Sequence, residues 1–84
     1  MTSRHELTLP ELGLEAGPIA VSLWLVEPGS PVAEGDPVVE VLAGAAVIDL
    51  PSPADGVLVE CLVGEDEPVE VGQVLAVIES EEEA

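Results

Sequence analysis

The chain has 84 residues, 48% of them hydrophobic, with eight Gly, eight Pro, one aromatic residue (Trp24), one cysteine and a formal net charge of −17 in which Arg4 is the only Lys or Arg. That length is one domain, able to bury only a little over ~60% of its unfolded surface, and that charge makes phosphate backbones and anionic lipid headgroups poor partners, leaving neither nucleic acid nor a membrane surface as a target. A single cysteine excludes an internal disulfide and suits a reducing cytoplasm, while self-repulsion favours a monomer; no apolar h-region follows the first six residues and no span reaches membrane length.

No long run places apolar residues at i, i+3, i+4 and i+7, whereas short β-branched runs alternate with turns rich in Gly and Pro. The pattern predicts an all-β domain. Residues 1–5 are expected to be loose. A short first strand spans residues 6–10 and ends at Pro10, and residues 11–18 form a loop containing Gly13 and Gly17. Residues 19–26 form a longer strand that turns at 27–30. A short extended piece and a second turn occupy 31–37. Residues 38–42 and 47–50 are strands joined by a tight reversal. Residues 51–56 turn the chain into a strand at 57–63, a turn follows at 64–67, a second short extended piece spans 68–72, and the last strand runs over 74–78. The domain is expected to cover 6–79, with an acidic tail at 80–84.

An internal repeat runs through this order. At an offset of 37, Leu25 meets Leu62, Val26 meets Val63, Pro31 meets Pro68, Val32 meets Val69, Gly35 meets Gly72, Val38 meets Leu75 and Val41 meets Ile78. Upstream, Leu7 to Pro10 echoes Ile48 to Pro51 at an offset of 41, the first loop being four residues longer. Two copies of a strand–turn–strand unit, neither able to bury its own apolar face, predict two sheets related by a pseudo-twofold. The expected core comprises Leu9, Val21, Leu25, Val32, Val41, Leu58, Leu62, Val69 and Ile78.

Between the strands at 38–42 and 47–50 lies Ala43-Gly44-Ala45-Ala46. Gly44 can take the positive φ that a tight reversal requires. The tip carries no nucleophile, acid, base or metal ligand.

The series Trp24-Leu25-Val26, Gly29, Val32, Glu34-Gly35-Asp36, Glu40-Val41, Pro51-Ser52-Pro53 and Gly56-Val57 resembles the lipoyl domain of 2-oxo acid dehydrogenase acyltransferases. The resemblance covers Leu7 to Glu79 and has no gap between Trp24 and Ile78. A biotin carrier domain is a weaker match, since it usually has Met-Lys-Met at the hairpin tip. The resemblance implies a flattened barrel, or barrel-sandwich hybrid, of two four-stranded sheets. It also implies a swinging arm in which lipoic acid is amide-linked to a lysine at the hairpin tip. The usual Glu-Thr-Asp-Lys-Ala of that tip falls on Leu42-Ala43-Gly44-Ala45-Ala46, so the attachment lysine maps onto Ala45 and its Asp neighbour onto Gly44. The chain contains no lysine, so no lipoate or other cofactor is expected on a side chain. In the lipoyl family the loop matching residues 11–18 lies beside the lysine hairpin and helps the decarboxylase component choose its substrate. Glu11, Gly13, Glu15 and Gly17 are thus recognition candidates, weighed against an ordinary connector.

The remaining candidates have plainer readings. Cys61 is a small buried hydrophobe with no Lys or Arg nearby to activate it, His5 is a surface residue without a ligand partner, and Trp24 packs in the core. Glu65, Asp66, Glu67 and the tail acids are solvated charge, since calcium needs a preorganised oxygen cage. No metal spacing, phosphate loop or triad is visible. The sequence therefore points to a non-enzymatic, lipoyl-like binding or scaffold module whose partners are proteins, 2-oxo acid dehydrogenase components among them. Two alternatives stand beside it: a carrier domain whose acceptor hairpin was replaced, and a structural domain unrelated to acyl transfer.

Overall fold

The computed structural model describes residues 2–12 and 18–81. Its strands are β1 (Thr2–Thr8), β2 (Ile19–Trp24), β3 (Pro31–Val32), β4 (Pro37–Ala43), β5 (Ala46–Pro51), β6 (Gly56–Cys61), β7 (Pro68–Val69) and β8 (Val74–Glu81). They form two four-stranded antiparallel sheets, one in the order β1-β8-β6-β3 and the other in the order β5-β4-β2-β7. This is the flattened two-sheet barrel that the sequence predicts.

The pseudo-twofold holds at the level of single hydrogen bonds. Gly29 N–H donates to Leu58 O and Leu58 N–H to Ser30 O, while Asp66 N–H donates to Val21 O and Val21 N–H to Glu67 O. Leu25 N–H reaches Val38 O at 2.9 Å, and Leu62 N–H reaches Leu75 O at 2.9 Å. The two tight turns match as well: Ala33 N–H donates to Asp36 Oδ2 and Glu70 N–H to Gln73 Oε1, each at 3.0 Å. Gly35 and Gly72 at those turns have φ of 90° and 88°, a region open mainly to glycine.

The same bonds correct the register of the first strand. Gly35 N–H donates to Ser52 O and Ser52 N–H to Asp36 O; the equivalents are Gly72 N–H to Leu9 O and Leu9 N–H to Gln73 O. Leu9 therefore corresponds to Ser52, and Leu7, which pairs with Ala76, corresponds to Leu50, which pairs with Val39. The offset of the first strand is 43, not 41. Leu and Pro recur two residues apart there, and the sequence match locked onto the wrong pair.

Residues 2–5, expected to be loose, form the first half of β1 because β8 continues to Glu81 and gives them partners, from Thr2↔Glu81 to His5↔Ile78. His5 Nε2 and Ser80 Oγ add a hydrogen bond of 2.9 Å. Ser80 and Glu81 thus belong to a strand instead of the expected tail, and the rest of that tail lies outside the described residues.

Leu9, Val21, Val32, Val41, Leu58, Val69 and Ile78 lie in the core together with Leu7, Val38, Val39, Leu50, Val63, Leu75 and Ala76. Leu25 and Leu62 do not: they are 40% and 47% exposed. The cause is a pair of β-bulges, between Val21 and Leu23 against β4 and between Leu58 and Glu60 against β8. A bulge inserts one residue and so inverts the inside–outside alternation beyond it. Trp24 and Cys61 consequently turn toward the core, and Leu25 and Leu62 turn toward solvent.

The bulges make the mutational cost asymmetric. Leu58→Ala, which empties a fully buried site, is expected to lower unfolding free energy by ~2–5 kcal/mol, whereas Leu62→Ala is expected to stay within ~0.5 kcal/mol. Urea denaturation of the two variants measures the difference. Equal losses would contradict the bulged register.

Candidate functional site

The hairpin tip is built from the ends of β4 and β5. Ala43 and Ala46 pair, leaving Gly44 and Ala45 as a two-residue reversal. Gly44 has φ of 63°, and Ala45 is not among the positive-φ residues. Glycine with positive φ at the first central position is the signature of a type II′ turn, whose twist matches that of the flanking strands. A Cβ on Gly44 would meet nothing within 4 Å, so a side chain there has room and only the backbone conformation resists it.

Ala43 is buried and anchors the tip to the core, Ala46 is half-buried, and Gly44 and Ala45 are exposed. Leu42 and Val47 form the next cross-strand pair and are 40% and 56% exposed. Sequence reading named Leu42 only as part of the tip and passed over Val47. Their apolar character on a solvent-facing register was a usable signal. Glu11 is exposed, while Gly13, Glu15 and Gly17 lie outside the described residues.

Elsewhere the chemistry is spare. Trp24 Nε1–H donates to Val63 O at 2.8 Å, and Trp24 N–H donates to Glu65 Oε2 at 3.3 Å. Trp24, Val26, Pro28, Cys61 and Leu62 line an open groove on that side. Burial pushes the Cys61 thiol above its ordinary pKa, the opposite of what a reactive thiol needs. Among the described residues no group of three or more His, Cys, Asp or Glu could hold a metal ion. None contains a helix long and apolar enough to cross a membrane.

A family model described as "Biotin-requiring enzyme", of the biotin–lipoyl type, matches residues 5–78. The chain belongs to the biotin–lipoyl family. It is 33% identical over 77 residues to the lipoamide acyltransferase component of the branched-chain alpha-keto acid dehydrogenase complex of Bacillus subtilis. It is 35% identical over 71 residues to the dihydrolipoyllysine-residue acetyltransferase component of the pyruvate dehydrogenase complex of Corynebacterium glutamicum. These alignments cover 92% and 84% of this chain but only 18% and 10% of the relatives, so the chain spans a small part of their length. The solution structure of the lipoyl domain of the 2-oxoglutarate dehydrogenase complex from Azotobacter vinelandii superposes with a TM-score of 0.63 at 26% identity, covering 87% of each chain. Fold and family are those of a lipoyl domain.

Cys61 allows a direct check on the groove. Its raised pKa means the thiol stays protonated past the pH at which an unfolded thiol ionises, so any stability it contributes is present below the unfolded pKa and is lost as pH rises through the folded one. Alkylation by iodoacetamide is expected to rise at higher pH in the folded protein than in the same chain in urea. Coincident pH profiles would contradict the burial.

Proposed function

We propose that this lipoyl-type domain carries no swinging arm and works by binding protein partners, as a non-enzymatic module associated with 2-oxo acid dehydrogenase components in the cytoplasm. The observation that carries this reading is the tip itself: Gly44 and Ala45 stand at the reversal, and none of the 84 residues is a lysine. An amide-linked arm requires a primary amine held at an exposed turn, and an alanine methyl cannot form that bond. Association with dehydrogenase components is supported by the relatives, which are acyltransferase components of such complexes. With −17 charges on so small a surface, the isolated domain is expected to be monomeric and to find basic partners quickly at low salt.

Co-expression with an active lipoate ligase followed by intact-mass measurement tests the reading. The expected result is the unmodified polypeptide; lipoyl mass on the folded chain would overturn it. The gain-of-function partner to this experiment is Gly44→Asp with Ala45→Lys. Asp at the positive φ of Gly44 costs on the order of 1–3 kcal/mol, and the exposed lysine adds little, so the double variant is expected to fold and to accept lipoate at the tip at least in part. Ala45→Lys alone is expected to be modified less. A folded double variant left bare beside the ligase would mean that the tip has lost the shape attachment needs.

A further inference from the structure

The pseudo-twofold supplies an internal control for the two outer faces of the barrel. Beside the hairpin tip, Pro68, Ala20, Leu42 and Val47 are successive cross-strand partners over β7, β2, β4 and β5. Partners directly opposite one another share a face of the sheet, and this face is solvent-exposed at Pro68, Leu42 and Val47 and half-buried at Ala20. The row is apolar across the full width of the sheet, roughly 14 Å at the usual strand spacing. Its symmetry mate is Pro31, Val57, Glu79 and Arg4, linked by the equivalent pairings over β3, β6, β8 and β1. There the row ends in charge, with the Arg4 guanidinium 3.9 Å from Glu79 and 3.8 Å from Glu60. Fold geometry is common to both rows, so their difference lies in the side chains alone.

The next row on the hairpin sheet sharpens the contrast. Glu40 and Asp49 are direct cross-strand partners, and like charges directly opposite each other are unfavourable. The chain's single Lys or Arg lies on the other sheet, between its own two acids, so no such side chain from within reaches Glu40 or Asp49. Pro68, at the far end of the apolar row, follows Glu65, Asp66 and Glu67 in the chain.

We propose that the outer face of the hairpin sheet, along Pro68, Ala20, Leu42 and Val47, docks an extended protein segment that carries apolar side chains and Lys or Arg on the same face. The apolar side chains cover the row, and the cations relieve the Glu40–Asp49 pair. A second copy of this chain does not fit, since it would bring a further −17 charges to an acidic rim. The inference rests on the reading of the domain as a binding module and names the surface and the chemistry of its partner.

The test is a two-dimensional amide NMR titration of the 84-residue chain with a short peptide in which Leu and Lys lie two residues apart, on one face of the extended chain, beside a control peptide with Glu in place of Lys. Shifts are expected to cluster on Ala20, Glu40, Leu42, Val47 and Asp49 with the first peptide only. Leu42→Gln with Val47→Gln, which keeps the net charge, is expected to weaken binding roughly tenfold, or about 1.4 kcal/mol, while Val57→Gln on the opposite face leaves it unchanged. Glu40→Gln with Asp49→Asn is expected to weaken binding and flatten its salt dependence. Shifts spread over all acidic turns, an equal loss from Val57→Gln, or self-association through this face in sedimentation would each overturn the proposal. The outcomes stay separate from those of the previous section: a lipoylated native chain would defeat the non-carrier reading and leave the shift map intact, whereas a map off this face would defeat the docking site with the mass still bare.

Discussion

The barrel depends on an exchange between its two halves. β3 follows β2 in the chain but pairs with β6, and β7 follows β6 but pairs with β2. Each exchanged piece is only two residues long, Pro31–Val32 and Pro68–Val69, yet Val32 and Val69 are both buried. The turns before them carry the bonds that lock the exchange, because Gly29 and Asp66 donate into the strand of the opposite half. Neither half can close its own sheet, and each covers the apolar face of the other. Two-stranded ribbons are marginal alone in water, so stability here belongs to the pair of halves and not to either hairpin.

That dependence explains which sequence signals were reliable. The turns require particular backbone conformations, and Gly29, Gly35 and Gly72, with φ near 90°, report them directly. The same residue types carry much of the family resemblance, which is why the fold could be read while the partner could not. Asp66 occupies the place of Gly29 with φ of 69°, showing that Asp can serve where glycine stands in the other copy. The bulges have no comparable signature. Leu25 and Leu62 sit four residues beyond Val21 and Leu58, so simple alternation put them inside, and only the pairing to β4 and β8 shows that a residue has been inserted.

The tip was legible as a reversal from Gly44. Its surroundings were less so. That Leu42 faces Val47, and that Glu40 faces Asp49, depends on cross-strand register, which no local pattern encodes until the hairpin length is known. The first strand erred in the other direction: Arg4 and His5 looked like a polar leader, but partners 75 and 73 residues away draw them into β1. Long-range pairing decided those positions, and propensity had little say.

The termini of the described chain stand where the symmetry calls for a second hairpin. Ser3 pairs with Ser80 as Ala46 pairs with Ala43, and Thr2 faces Glu81 at the position of the Gly44–Ala45 reversal. Topologically the domain is a ring of eight strands with one opening. A permuted chain, bridged between Glu81 and Thr2 and reopened between Gly44 and Ala45, would keep the strand pairings of both sheets. The fold thus has two equivalent doors, one used as a loop and the other as the way in and out. A host protein could receive the whole barrel as an insert at one door while leaving the other facing solvent.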